Sequence, residues 1–140
     1  MSATNFGQNW PSSWTTDATL TGSTVAGGAN ATSAAVLNTA ASPNEVLDTE
    51  CDLSILAGST ITNGPATIYI LRQTQAGYQA ITDTNVYSFT STLIASTTTH
   101  AVFVVPGADV GGFKIAIANP SSNSSLTVTL YYRQSQGQSG

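Results

Sequence analysis

Three acidic residues at alternating positions are the clearest candidate for chemistry in this sequence. Asp48, Glu50 and Asp52 lie in the run 47–55, whose odd positions are mostly apolar. Because strand side chains alternate between faces, the three carboxylates share one face with about 6.6–6.8 Å between neighbours. Like charges at this spacing repel, which leaves three interpretations: a solvated acidic face, contact with a basic patch on another protein, or a divalent-cation site. Since calcium sites usually gather oxygens on a tight loop, we assign no metal ligand.

The other reactive side chains predict no catalytic site. His100 is the single histidine and stands at the start of an apolar run without a Gly-x-Ser-x-Gly motif, so we expect a surface or hydrogen-bonded residue. Cys51 is the single cysteine, which excludes an intrachain disulfide, and we expect it to be buried. The acidic spacing could suit a glycosidase carboxylate pair, but the aromatic platforms expected around a sugar cleft are missing. We therefore predict a non-enzymatic protein with no catalytic residue and no cofactor.

Composition excludes further classes of function. Only 7% of the 140 residues are charged, against roughly 25% in an average domain, and the net charge is −4. The three basic residues are too few to bind nucleic acid or an anionic membrane surface. No run approaches the roughly 20 apolar residues that span a bilayer, and the N-terminus resembles no secretory signal, which predicts synthesis in the cytoplasm. Such low charge favours an assembly that buries much of the surface, although a Ser/Thr-rich secreted-type domain is the alternative.

Short alternating runs separated by turn residues predict an all-β fold. We count about eight strands and no helix, which favours a single β-sandwich, best described as an eight-stranded jelly roll, with an immunoglobulin-like sandwich second. The runs 113–118 and 126–133 are predicted to form a β-hairpin closed by the loop 119–125. The run 66–74 is apolar on both faces, which predicts that the core covers one face and the arm or a partner covers the other.

The chain divides into an N-terminal arm at 1–16, a β-sandwich domain at 17–134 and a flexible tail at 135–140. The arm carries Phe6, Trp10 and Trp14, which must pack either on their own domain or on a neighbouring subunit. Tyr131 and Arg133 lie on the polar face of the last strand, and Lys114 is expected opposite them. We predict partner contacts at the arm, at the acidic strand and at this polar face.

The aromatic arm Phe6/Trp10/Trp14, the Ser/Thr/Ala-rich short strands and the Thr-rich terminal segment together resemble small jelly-roll cement (decoration) proteins of tailed bacteriophages. This resemblance covers the whole chain in composition and layout, and it transfers no individual functional residue. It implies a homo-oligomer, dimer or trimer, that binds the major capsid protein on the outside of the virion and bridges neighbouring subunits. The alternatives are a receptor- or carbohydrate-binding module of a tail fibre, a head–tail connector or a tail-tube protein.

Overall fold

The computed structural model describes residues 8–37, 46–106 and 112–137, and these ranges contain eleven β-strands and no helix. Alternating apolar and polar positions create the longer strands, and Gly, Asn and Ser residues separate them. The strands are β1 (Gln8–Asn9), β2 (Thr15–Thr16), β3 (Ser23–Val25), β4 (Asn30–Thr32), β5 (Val46–Ala57), β6 (Ala66–Thr74), β7 (Gly77–Tyr78), β8 (Tyr87–Ser91), β9 (Thr98–Pro106), β10 (Phe113–Ala118) and β11 (Leu126–Gly137).

The strands form two antiparallel sheets. In the six-stranded sheet, β11 pairs on one side with β1, β2 and β3 and on the other side with β5, and β9 follows β5 at the edge. In the five-stranded sheet, β4 pairs with β10, β10 pairs with β6, and both β7 and β8 pair with β6. Each sheet therefore has one long strand pair at its centre, β11–β5 in one and β10–β6 in the other.

The pairing follows a nested order that defines the topology. Strand β3 pairs with β11, β4 with β10, β5 with β9 and β6 with β8, so that strands pair from the two ends of the chain inwards. A long antiparallel ribbon wound in this way over two sheets is a jelly roll. The predicted all-β sandwich is confirmed, and eight strands make the jelly roll. The remaining strands β1, β2 and β7 are two-residue additions.

The core lies between the inner faces of the two sheets. On β5 the predicted inward face is confirmed, because Cys51, Leu53 and Ile55 are fully buried. Phe103 of β9 and Phe89 of β8 meet edge to face, with ring centroids 5.0 Å apart, across the gap between the two sheets. The largest fully buried side chains are Phe113, Leu20, Leu53, Ile55, Ile68, Ile115, Ile117, Leu126, Leu130, Val25, Val36 and Val105.

The predicted β-hairpin over 113–133 is wrong. Strand β10 belongs to the five-stranded sheet and β11 to the six-stranded sheet, so the loop 119–125 crosses between sheets instead of reversing within one. Two buried asparagines anchor this crossing. The Asn123 side-chain oxygen accepts hydrogen bonds from the backbone N–H groups of Thr62 and Asn63, both 2.9 Å. The Asn119 amide donates to the carbonyl of Val25 at 3.1 Å.

Two further expectations are corrected. Strand β11 continues to Gly137, and β1 pairs with its last two residues, so residues 135–137 of the predicted flexible tail belong to a strand. On the outer side of β6, the buried Leu71 lies beside residues 78–81, whereas the described arm residues 8–16 lie on the other sheet. The arm therefore does not cover β6 with these residues, and cover by a partner stays a prediction. After β4, Val36 makes an isolated bridge to Phe113.

Candidate contact face

The outer face of the six-stranded sheet collects the predicted contact residues from three separate stretches of chain. Strand register places Arg133 opposite Glu50 and Tyr131 opposite Asp52. Tyr131 is also opposite Thr16 of β2, which brings the arm to the same face. We call this surface, formed by the outward side chains of β11 and β5 with the arm residues beside them, the contact face.

Arg133 is the centre of the contact face. Its Nε donates a 2.7 Å hydrogen bond to Oε1 of Glu50, and a second guanidinium nitrogen lies 2.7 Å from the same oxygen. Another nitrogen donates to the carbonyl of Pro11 at 3.1 Å. The guanidinium carbon lies 4.5 Å from the ring centroid of Trp14 and 5.7 Å from that of Trp10. One side chain therefore joins the last strand, the acidic strand and the arm.

The described part of the arm packs on its own domain. Strand β2 pairs with β11 through Thr15 and Thr16, and the polar backbone between β1 and β2 crosses over Arg133. Trp10 is half-buried, whereas Trp14 keeps 37% of its surface exposed. Both tryptophans therefore contact Arg133 of the same chain, and docking of their exposed surface on a neighbouring subunit stays a prediction. Phe6, the third aromatic residue of the predicted arm, lies outside the described residues.

The acidic strand is partly neutralised from within the chain. Glu50 pairs with Arg133, and Oδ1 of Asp52 lies 2.8 Å from Nδ1 of His100. Asp48 is half-buried, and its backbone N–H donates to the hydroxyl of Ser135 at 3.1 Å. His100 is thus a hydrogen-bonded surface residue, as predicted. Among the residues that the structure describes, no group of three or more His, Cys, Asp or Glu side chains is placed to hold a metal ion.

Beneath the acidic face, Cys51 is fully buried on the opposite side of β5. Burial, with a smaller contribution from the nearby Glu50 carboxylate, raises the pKa of the Cys51 thiol to about 12. Burial also raises the pKa of Tyr132, and Asp17 adds to this effect. The predicted buried thiol is confirmed, and at neutral pH it remains protonated and a poor nucleophile.

Lys114 does not belong to the contact face. It lies on the outer side of β10 in the other sheet, where its amine sits 4.8 Å from the ring centroid of Tyr78. The prediction that Lys114 and Arg133 share one hairpin face is therefore wrong, because β10 and β11 are not neighbours. The two cations occupy opposite sides of the sandwich.

Sequence reasoning named Trp10, Trp14 and Arg133 separately but did not find their stacking. The available signal was weak: two tryptophans four residues apart, and one of only three basic residues in a strand far along the chain. It also did not single out Val102 and Val104, which belong to the apolar run 101–105. In the structure 58% of Val102 and 49% of Val104 are exposed.

Comparison with known proteins leaves the family open. No model of a known protein family matches the chain, and no curated protein matches it. The described ranges contain no helix of the length and apolar character needed to cross a membrane.

Proposed function

We propose that this chain is a non-enzymatic structural protein of a bacteriophage virion, a cement protein that binds the outside of the capsid shell and bridges major capsid protein subunits. The observation that carries the proposal is the contact face. Residues of the arm, the acidic strand and the last strand, chosen from sequence as contact residues, converge on one outer face of a jelly roll. Jelly rolls occur in viral capsid and lectin domains.

The chemistry of the contact face suits docking on a large protein surface. Arg133 is already held by Glu50, Pro11 and the two tryptophans, so little side-chain freedom remains to be lost when a partner binds. Trp, Tyr and Arg are the residue types enriched in the energetic centres of interfaces. The rest of the face is mainly uncharged and polar, as at Thr127 and Thr129, which fits a wet interface.

A shell repeats one binding site many times, so individual contacts need not be strong. A specific interface buries on the order of 1,200–2,000 Å² in total, and a protein that bridges two subunits gains further affinity because its second contact is intramolecular. The shell gains mechanical stability from this added buried interface without any chemical step.

The test is co-sedimentation with particles of the virus whose genome encodes the chain. Purified protein should bind particles at a saturating, symmetric copy number, and Trp14→Ala and Tyr131→Ala should each weaken binding at least tenfold. Thr90→Ala is the matched control, because Thr90 is exposed on the outer face of the other sheet and its loss should leave binding unchanged. Absence of particle binding, or equal binding by all three variants, would contradict the proposal.

A carbohydrate-binding module is the second candidate, favoured by one specific observation. The arm places the partly exposed Trp14 ring on the β-domain near Tyr131 and the Glu50 carboxylate, which forms the kind of aromatic platform that the sequence did not predict. Titration with oligosaccharides while following tryptophan fluorescence tests this candidate, because both tryptophans lie in the arm. A saturable change that Trp14→Ala abolishes would favour it over the cement protein.

A further inference from the structure

Strand β9 ends the six-stranded sheet with an edge that carries unusually little protection. Its nine residues include no Asp, Glu, Lys or Arg, and its single proline, Pro106, stands at the very end. Natural edge strands are commonly blunted by charges, by proline or by bulges, because an open edge is a template for another strand. Strand β8, which ends the other sheet on the same side, also lacks charged residues.

The phase of hydrogen bonding shows which groups face the open edge. The N–H of Ala57 donates to the carbonyl of Thr97 at 3.1 Å. The β5–β9 register ends with Leu56 opposite Thr98, so these two residues are directly opposite when the register is extended by one position. In an antiparallel pair, hydrogen-bonded positions alternate with positions whose backbone groups point away. The odd residues of β9 therefore bond to β5. The backbone groups that face outward belong to Thr98, His100, Val102, Val104 and Pro106.

Within the described ranges, no hydrogen bond reaches these outward backbone groups. The side chains of the same residues also point to the outer face and are exposed, with 58% of the Val102 surface and 49% of the Val104 surface accessible. Tyr87 of β8 is 59% exposed beside them. A cavity of about 470 Å³ opens along this edge, lined by Ile70, Arg72, Tyr87, Phe89, Val102, Phe103, Val104 and Pro106.

We propose that β9 is the interface of a homodimer, in which β9 of a second copy adds antiparallel to this edge and continues the six-stranded sheet across a two-fold axis. This proposal concerns an edge outside the contact face and does not depend on the function proposed above. The occupant is a second copy because the edge is complementary to itself.

Charge is the first reason for self-complementarity. A chain with net charge −4 repels its own copies over most of its surface, and the acidic residues of β5 would meet like charges in a face-to-face dimer. At the β9 edge no carboxylate lies on the strand itself, and His100 is already paired with Asp52. Two β9 strands can therefore pair without placing equal charges directly opposite each other on the strands themselves.

The apolar pattern is the second reason, and it selects a register. Centring the two-fold axis at Phe103 places Val102 of each copy opposite Val104 of the other, in hydrogen-bonding positions that are open in both strands. This register forms two Val–Val cross-strand pairs, whereas centring at Val102 forms one. Apolar β-branched pairs directly across two strands are among the stabilising pairs of antiparallel sheets.

The size of the interface predicts a weak, measurable dimer. In this register residues 100–106 overlap, which at about 3.4 Å per residue gives an edge roughly 24 Å long. Two stacked sheets with their side chains are roughly 20 Å high. Dimerisation therefore buries roughly 480 Å² of surface on each copy, or about 960 Å² in total. This area is below the roughly 1,200 Å² of a standard specific interface, so we expect a weak dimer that dissociates in the micromolar range.

Sedimentation equilibrium of the purified full chain, without particles, tests the proposal. From about 1 to about 200 µM the mass should rise from 14.3 kDa towards twice that value. Val104→Lys should raise the dissociation constant at least tenfold. Thr24→Lys is the control, because Thr24 is an exposed residue of β3 at the opposite edge of the same sheet. A monomer at all concentrations, or an unchanged dimer with Val104→Lys, would overturn the proposal.

Cysteine cross-linking tests the register. A mixture of chains carrying Val102→Cys or Val104→Cys should form a disulfide-linked heterodimer on mild oxidation, because directly opposite strand residues lie within the roughly 4.4–6.8 Å that a disulfide spans. Each variant alone should cross-link far less, because its own cysteines are diagonal. Cys51 is buried, so it should not form disulfides with the introduced cysteines. Efficient cross-linking of Val102→Cys alone would refute the Phe103-centred register.

Discussion

Replacing Arg133 with Gln should detach the arm from the contact face. The guanidinium makes a half-buried ion pair with Glu50, a hydrogen bond to the Pro11 carbonyl, and stacking contacts with two tryptophan rings. Glutamine keeps a polar side chain of moderate length but removes the charge and the planar fork that make these contacts. Because the tryptophans lie only in the arm, their fluorescence reports on this region alone.

The magnitude follows from the separate contacts. A partly exposed ion pair contributes about 0.5–1 kcal/mol, each cation–π contact contributes about the same, and the hydrogen bond contributes about 1 kcal/mol. Because these contacts share one side chain they do not simply add, so we expect a loss of about 2 kcal/mol. For a domain of this size, that corresponds to a fall in Tm of roughly 8 °C.

The assay is tryptophan emission together with thermal unfolding followed by circular dichroism. Arg133→Gln should shift the emission maximum to longer wavelength, as Trp10 and Trp14 become more exposed, and should lower Tm. The emission maximum and Tm of Arg133→Lys should lie between those of the original chain and Arg133→Gln, because lysine keeps the charge but lacks the planar guanidinium that stacks on the tryptophan rings. Lys114→Gln removes the same charge on the opposite side of the sandwich and serves as the control. An unchanged emission maximum and a Tm within about 1 °C of the original would refute the reasoning.

Two further predictions concern the buried polar groups. Asn123→Ala should lower the free energy of unfolding by about 2–4 kcal/mol, because it leaves the N–H groups of Thr62 and Asn63 without their acceptor. Urea denaturation measures this loss. Ser121→Ala is the control, because Ser121 is an exposed residue of the same loop and its replacement should have little effect. The raised pKa of Cys51 means that the folded state holds its proton more tightly than the unfolded state, so this contribution to stability is present below about pH 9 and is lost as the pH rises towards about 12. Cys51→Ala should flatten this alkaline loss, and an equal loss in both chains would show that Cys51 is not its source.

Local pattern predicted the elements of this fold much better than their partners. Alternation over 47–55 gave the correct buried face of β5, because side-chain period depends only on the strand itself. The loop 119–125 was misread because turn-forming residues serve equally well in a hairpin and in a crossing between sheets. What decides between them is distant: Asn123 bonds to Thr62, Asn63 and Gly64, roughly sixty residues away.

The contact face illustrates the same limit. The residue types of Trp14, Glu50 and Arg133 indicated contacts, yet their meeting depends on β11 lying between the arm and β5. This arrangement is a consequence of jelly-roll winding, which pairs the two ends of the chain, and no local window of sequence contains it. The open edge at β9 could not be predicted either. An apolar run such as 101–105 is equally typical of a central strand, and only the strand order of the sheet shows that β9 lies at its end.

The two proposals fit one geometry. When an antiparallel strand continues a sheet, the two-fold axis relating the copies stands perpendicular to the sheet, so the outer faces of both six-stranded sheets point to the same side. The two contact faces would then lie side by side, separated by the paired β9 strands. A dimer of this form presents two copies of Trp14, Tyr131 and Arg133 to one surface, which is what bridging two neighbouring shell subunits requires. Val104→Lys should therefore leave the contact of a single copy intact while weakening attachment to the shell through loss of bivalency, whereas Trp14→Ala should weaken attachment without changing the dimer.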